Sequence, residues 1–149
     1  MVSSKRLLIL GGSETQLPLI EKAKKISKMY IVDGDNSCIA SKNFKKNFLN
    51  ISTLNFSELK KIATKLKIDG ACTYASDPSS LGVGYLNSEF YLNGFDFSSS
   101  KILQNKSLFR NFQKKIKLNF PFFQVYENFS KFYLDIKKKK FKKKIVIKP

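Results

Sequence analysis

Two lysines, Lys106 and Lys148, stand where a side-chain cation could do chemistry. Lys106 follows Asn105, a helix-capping residue type, and so falls in the first turn of an expected helix. A cation there meets the positive pole of the helix dipole, at a cost of up to about 1 kcal/mol. An anion bound at the same point reverses the sign, because the helix amides and the ammonium both attract it. Lys148 closes the run Ile145, Val146, Ile147. Alternation of faces along a strand sets it on the side of Val146, where it could point into a cleft. For Lys106 the plainer reading is an ammonium turned to solvent, and the residues alone leave both readings open.

The other candidates fall at expected strand ends. Gly11 and Gly12 sit where the first apolar run turns into a helix, the place at which doubly wound sheets bring ligands against backbone amides. A dinucleotide fingerprint needs Gly-x-Gly-x-x-Gly, and its three positions here carry Gly11, Ser13 and Gln16. That argues against NAD, although Asp33 lies about where a ribose-binding acid would fall. A tight turn accounts for Gly11, whereas Ser13 and Gln16 are candidates to line a substrate pocket beside Gly12. Ser76 and Asp77 end the fourth expected strand on the same edge. Asp77 before Pro78 also reads as a helix cap, which competes with a substrate role.

The elements that must position these residues alternate along the chain. Arg6 to Leu10 is a short apolar run closed by glycines, the form of a strand buried on both faces of a parallel sheet. Leu17, Ile20 and Ala23 recur at helical spacing, and residues 29–33 and 48–51 read as the next strands with a polar loop between them. Leu59, Ile62, Ala63 and Leu66 mark a helix, with Asn55 and Glu58 spaced as a capping box. Residues 69–74 form the fourth strand, and a helix follows through Leu81, Tyr85 and Leu86. The fold class is therefore α/β, a Rossmann-like parallel sheet with helices on both faces. Asn93-Gly94 is a turn signal, so the first domain is expected over residues 1–96 and a second over 97–149. In the second, Leu108, Phe109, Phe112 and Ile116 predict a helix, residues 122–126 a strand, Phe129, Phe132, Tyr133 and Ile136 a helix, and residues 145–148 a last strand.

Composition narrows the chemistry. Of the 149 residues, 42% are hydrophobic, and 28 basic residues against 11 acidic ones give a formal charge of +17. All the basic residues but Arg6 and Arg110 are lysine. Base-reading surfaces favour arginine, whose planar fork matches their acceptors, so a dispersed lysine excess argues against nucleic acid and fits AT-rich codon usage. The run from Lys137 to Lys144 holds seven lysines in eight residues. It reads as a solvated helix end; the alternative is a basic module binding nucleic acid or an anionic membrane, which steep salt dependence would reveal. Histidine is absent, and Cys38 and Cys72 are the only thiols. A disulfide framework, a Cys/His zinc site and a Ser-His or Cys-His nucleophile pair are excluded or disfavoured accordingly. Residues 7–10 are too short for a signal-peptide core and no segment approaches a membrane span, so a cytoplasmic location is expected.

One family combines these parts. The order of Leu7 to Gly12, Ile68-Asp69-Gly70 leading to Thr73-Tyr74-Ala75-Ser76-Asp77, Asn105-Lys106 with Phe109-Arg110, and Ile145 to Pro149 resembles the amino-terminal part of an ATP-grasp enzyme. The nearest groups are those similar to the carbamoyl phosphate synthetase large subunit, biotin carboxylase and the purine-pathway carboxylases. The resemblance implies a pre-ATP-grasp domain to about residue 96 and the opening of the ATP-grasp small lobe after it. It assigns Lys106 and Lys148, 42 residues apart, to ATP phosphates. It also implies ATP with Mg2+ as cofactors, and a small carboxylate substrate activated as acyl phosphate for an amine or another nucleophile. It is compatible with a homodimer. On the same resemblance the glycine-rich flap, the adenine segment and the magnesium ligands fall beyond Pro149. Catalysis is then not expected of this chain alone, and a carboxyl-terminal half is an expected partner.

Overall fold

In the computed structural model, which describes residues 5–138 and 144–147, β1 (Arg6–Leu10) is the strand around which the sheet forms. Leu8 and Leu10 join the core on one face and Ile9 the core on the other, and all three are closed to solvent. A strand with no polar face must lie inside a sheet covered on both sides. β1 pairs in parallel with β2 (Lys28–Asp33) and with β4 (Gly70–Cys72), and β2 pairs in parallel with β3 (Phe48–Asn50). The order is β3-β2-β1-β4. Two compact units make up the chain, residues 1–109 and 110–149, and this sheet belongs to the first.

Helices cover both faces. A turn of 3-10 helix (Glu14–Gln16) leads into α1 (Leu17–Ile26), and α2 (Ile39–Asn43) follows β2. Ile20, Ala23 and Ala40 pack with Ile9, Met29 and Ile31. On the other face α3 (Phe56–Leu66) and α4 (Asp77–Phe90) bring Leu59, Ala63, Val83 and Leu86 against Leu8, Leu10 and Val32. Burying each large aliphatic side chain stabilises the unit by about 1.5–3 kcal/mol. At the start of α3 the expected cap forms, with the Glu58 amide donating to Asn55 Oδ1 at 3.2 Å. The Asn55 amide turns to Ser52 O at 3.0 Å, so the reciprocal half of a capping box gives way to a turn bond.

α5 (Phe97–Gln104) lies on α4 and belongs to the first unit, which runs on to Phe109. Its apolar spacing is too short to announce it in the sequence, and contact with α4 compensates. A Cβ added at Gly84 would stand 2.5 Å from Ser100 Oγ and 2.8 Å from Asp96 O, so the glycine lets the two helices approach. Phe56, Tyr85 and Phe97 join α3, α4 and α5 through ring contacts of 4.9, 5.3 and 5.7 Å. Lys60 and Glu89 add an ion pair between α3 and α4. The Asn93-Gly94 turn is held by Asn87, which donates to Phe95 O at 3.0 Å and lies against Gly94 (φ +145°).

In the second unit α7 (Phe129–Lys137) is capped by Asn128, whose Oδ1 accepts from the Lys131 amide at 3.0 Å. Phe129 stacks on Tyr133, and Phe132 meets both Phe129 and Tyr126 edge-on or tilted. The Tyr126 hydroxyl donates to Asp135 Oδ2 at 2.7 Å; partial loss of solvent and this bond push its pKa up to about 12. No described residue of this unit is buried. The strand expected over 122–126 is an irregular segment, and residues 144–147 are likewise irregular. A strand exists through its ladder, and among the described residues neither segment has a neighbour to pair with. Lys148 and residues 139–143 of the lysine run lie outside the described residues.

Cys72 is half-buried beside the Ile9 cluster, where burial pushes its pKa up to about 11. Its thiolate population at pH 8 should be depressed roughly a hundredfold relative to an ordinary thiol. Iodoacetamide labelling followed by mass spectrometry should therefore be slow at Cys72 in the native protein and recover in urea. Equal labelling in both states would contradict the burial described. Gly84→Ala should lower stability by about 1–3 kcal/mol, read from urea unfolding, because overpacking forces α4 and α5 apart.

Candidate functional site

The chain leaves β1 through α1 to β2 and β3 on one side, then returns to β4 on the other. The order reverses between β1 and β4, and ligands of such sheets bind outside the carboxyl ends of the strands at that reversal. Here those ends carry residues 11–16 and 73–77. Gly11 adopts φ +107°, which favours glycine, and its amide donates to Val32 O at 2.8 Å. Gly12 is confined by its neighbours, since a Cβ there would stand 2.7 Å from Cys38 Sγ and 3.0 Å from Ala40 Cβ. Its amide donates to Asp33 Oδ2 at 2.6 Å, and its carbonyl accepts from the Ala40 amide at 3.0 Å. Asp33 Oδ1 accepts from the Asp35 amide at 2.9 Å. Asp33, placed by the sequence where a ribose-binding acid would fall, thus serves the chain's own backbone.

Gln16 closes the base of this edge. Its side chain is 1% exposed, and its carboxamide bonds Tyr74 at both ends: Nε2 donates to Tyr74 O, and the Tyr74 amide donates to Oε1 at 2.9 Å. The Thr73 hydroxyl adds a bond to Leu10 O at 2.7 Å. The loops after β1 and β4 are thereby joined, bringing Gly11, Gly12, Ser13 and Gln16 to the same edge as Ser76 and Asp77. The Ser13 hydroxyl lies exposed, 2.8 Å from Thr15 Oγ1. Ala75 takes a left-handed conformation (φ +49°), which costs an alanine about 1–2 kcal/mol and turns the chain into α4.

The cap of α4 is Ser76 rather than Asp77. Ser76 Oγ accepts from the Ser79 amide at 3.4 Å and lies 2.8 Å from Ser79 Oγ. Asp77 occupies the first helical position and is exposed, where its charge favours the helix dipole. The sequence pointed to Asp77 as the cap; serine is an equally good cap, and the helix starts one residue earlier than that reading placed it.

Lys106 begins α6 (Lys106–Lys115), in the helical first turn expected of it. Asn105 Oδ1 accepts from the Ser107 amide at 3.0 Å, the Leu108 amide at 3.1 Å and the Ser107 hydroxyl at 2.7 Å. The Asn105 amide meanwhile donates to Lys101 O at 3.2 Å, so one residue ends α5 and starts α6. Lys106 is exposed, and among the described residues no carboxylate pairs with it. Among the described residues no three Cys, Asp or Glu side chains are grouped to hold a metal ion. No described helix is long and apolar enough to cross a membrane.

Thr73 and Tyr74 stand in the run that carries the resemblance, but sequence reasoning assigned them no role, because they act through a hydroxyl and through backbone groups. Gln16→Leu should lower stability by about 1–3 kcal/mol, because it strands the Tyr74 amide and carbonyl. Chemical denaturation measures the loss, and amide exchange at Tyr74 should accelerate with it.

No protein-family model and no curated protein matches the chain. Solved structures do. Phosphoribosylglycinamide synthetase from Anaerococcus prevotii superposes on 91% of this chain with a TM-score of 0.71 at 22% identity. N5-carboxyaminoimidazole ribonucleotide synthetase from Thermotoga maritima superposes on 88% with a TM-score of 0.64 at 14% identity. The chain spans 35% and 36% of those two proteins, about a third of their length. The four-stranded parallel sheet, its flanking helices and this superposition agree: the chain has the α/β fold of the amino-terminal region of ATP-grasp enzymes.

Proposed function

We propose that the chain is the amino-terminal part of an ATP-dependent ligase that activates a small carboxylate as an acyl phosphate and transfers it to an amine or another nucleophile. The observation that carries this reading is the superposition of 91% of the chain on a synthetase of this fold. In it, residues 1–96 form the substrate-side domain and residues 97–149 open the ATP-grasp lobe. Gly11, Gly12, Ser13, Gln16, Ser76 and Asp77 belong to the substrate edge, with Gln16 acting through the loops it joins.

Lys106 supports the phosphate role by its place at the amino terminus of α6. Asn105 already caps the Ser107 and Leu108 amides, so the ammonium carries the role: a lysine at the positive end of a helix is a mobile point charge that can follow a phosphate as charge develops. Lys148 is the second phosphate contact of this reading. ATP would bind with magnesium held by residues other than those described here, and a carboxyl-terminal half would complete the site. The chain alone is then inactive, and its place of action is the cytoplasm.

Supplying an ATP-grasp carboxyl half, fused or as a separate polypeptide, should give ATP turnover. In that assembly Lys106→Ala should weaken ATP binding about tenfold or more in calorimetry, the effect of losing one charged hydrogen bond. Wild-type affinity in the variant would sink the assignment of Lys106.

A further inference from the structure

The lysines, dispersed along the chain, are sorted in space. Residues 11–16, 34–38, 51–55 and 73–77, which follow the four strands, hold no lysine or arginine. At the other end of the sheet five lysines meet at the corner where β2 and β3 begin. Lys24 and Lys25 are in the last turn of α1, Lys28 starts β2, and Lys45 and Lys46 lie in the turn before β3. The Asn47 amide donates to Phe44 O at 2.8 Å, which sets Lys45 and Lys46 at the tip of that turn. The Ile31 amide donates to Asn47 O at 2.8 Å and Asn47 Nδ2 to Met29 O at 2.8 Å, which fastens the turn beside Lys28. Lys24 Nζ stands 5.8 Å from the Phe44 ring centroid and so joins the end of α1 to the same turn.

All five lysines are exposed, and none of them forms a salt bridge with a described residue. Glu21, one turn earlier on α1, is the nearest carboxylate along the chain and pairs with none of them. Arg6, opposite Lys28 in the β1–β2 register, has its own partner in Asp69 at 3.7 Å. The fold accounts for part of the cluster only. The helix dipole favours Lys24 and Lys25, and Lys28 has the ring of Tyr30 at 5.8 Å. Lys45 and Lys46 occupy a turn tip, a place that favours Gly, Asn, Asp or Pro, and there they add repulsion without a local reward.

We propose that this corner is a sequence-independent contact for the phosphate backbone of a nucleic-acid duplex. A duplex carries one negative charge per about 1.7 Å of its axis, and cations that reach it release condensed counterions. Lysine ammoniums are point charges that meet phosphates without the fork that reads base edges, so binding follows the backbone rather than the sequence. Phe44 and Tyr30 are half-buried against the two cores, which leaves no stacking platform of the kind that holds single strands. Ile26 is the exposed large apolar side chain at the corner, and one such side chain is too little to anchor the protein in a bilayer. The corner lies at the end of the sheet opposite Ser76 and Asp77, so the inference stands apart from the ligase reading.

Fluorescence anisotropy of a labelled DNA duplex of about 20 base pairs, titrated with the 149-residue chain over a range of salt, tests the contact. The wild type should bind saturably, with affinity falling steeply as salt rises. Lys28→Gln, Lys45→Gln and Lys46→Gln together should weaken binding about tenfold or more and flatten the logarithmic salt slope by about 2–3. Lys138→Gln, Lys139→Gln and Lys140→Gln remove the same charge from the lysine run and should weaken it less than about threefold. The pair Lys45→Gln and Lys46→Gln, confined to the turn tip, should weaken binding about fivefold and serves if the triple variant fails to fold. Equal losses from the corner and from the run would overturn the proposal. So would unchanged binding by a folded corner variant, or wild-type binding to phosphatidylserine vesicles but not to the duplex. The calorimetric test of Lys106 involves none of these groups, so the two readings fail separately.

Discussion

The separation of the loops after β1 and β4 depends on one buried carboxamide. Backbone ladders fix the strands as far as Cys72, but they stop before the residues that could meet a ligand. Beyond that point Gln16 takes over, matching both its donor and its acceptor to the backbone of Tyr74. Glutamine suits the task because it carries both hydrogen-bonding senses without a charge, and burial inside the sheet edge costs a neutral amide little once both are satisfied. Gly11 leaves room for it, since a Cβ there would stand 3.1 Å from the Gln16 carboxamide. The left-handed Ala75 and the cap Ser76 follow from where Tyr74 is held.

The frame of the sheet was legible in the sequence. β1, the helix carrying Leu59 and Ala63, and the parallel alternation were visible because burial on one or both faces leaves a periodicity of residue type. α2 and α5 were not, for they are short and rely on contacts with β3 and α4 that no local pattern records. Residues 122–126 show the opposite error. Phe122, Phe123, Val125 and Tyr126 have strand propensity, but a strand needs a partner, and side-chain contacts with α7 decide the conformation of Tyr126 instead.

The candidate site was legible in outline only. Its place at the strand ends followed from the order of elements, yet which groups are free to act did not. Gly12, Asp33 and Gln16 looked available in the sequence, and each proves to be bonded to the chain itself. Asn105-Lys106 fared differently, because a cap and a first-turn lysine are defined by sequence neighbours alone.

Asn105 has a mechanical consequence. Its amide closes the last turn of α5 while its side chain opens α6, leaving no spacer residue to absorb a displacement. α5 is fastened to α4 at Gly84 and Ser100, and α4 starts at the carboxyl edge of the sheet with Ser76. Any displacement of α4 would meet α5 and then the backbone of Lys106 with no intervening residue between the two helices.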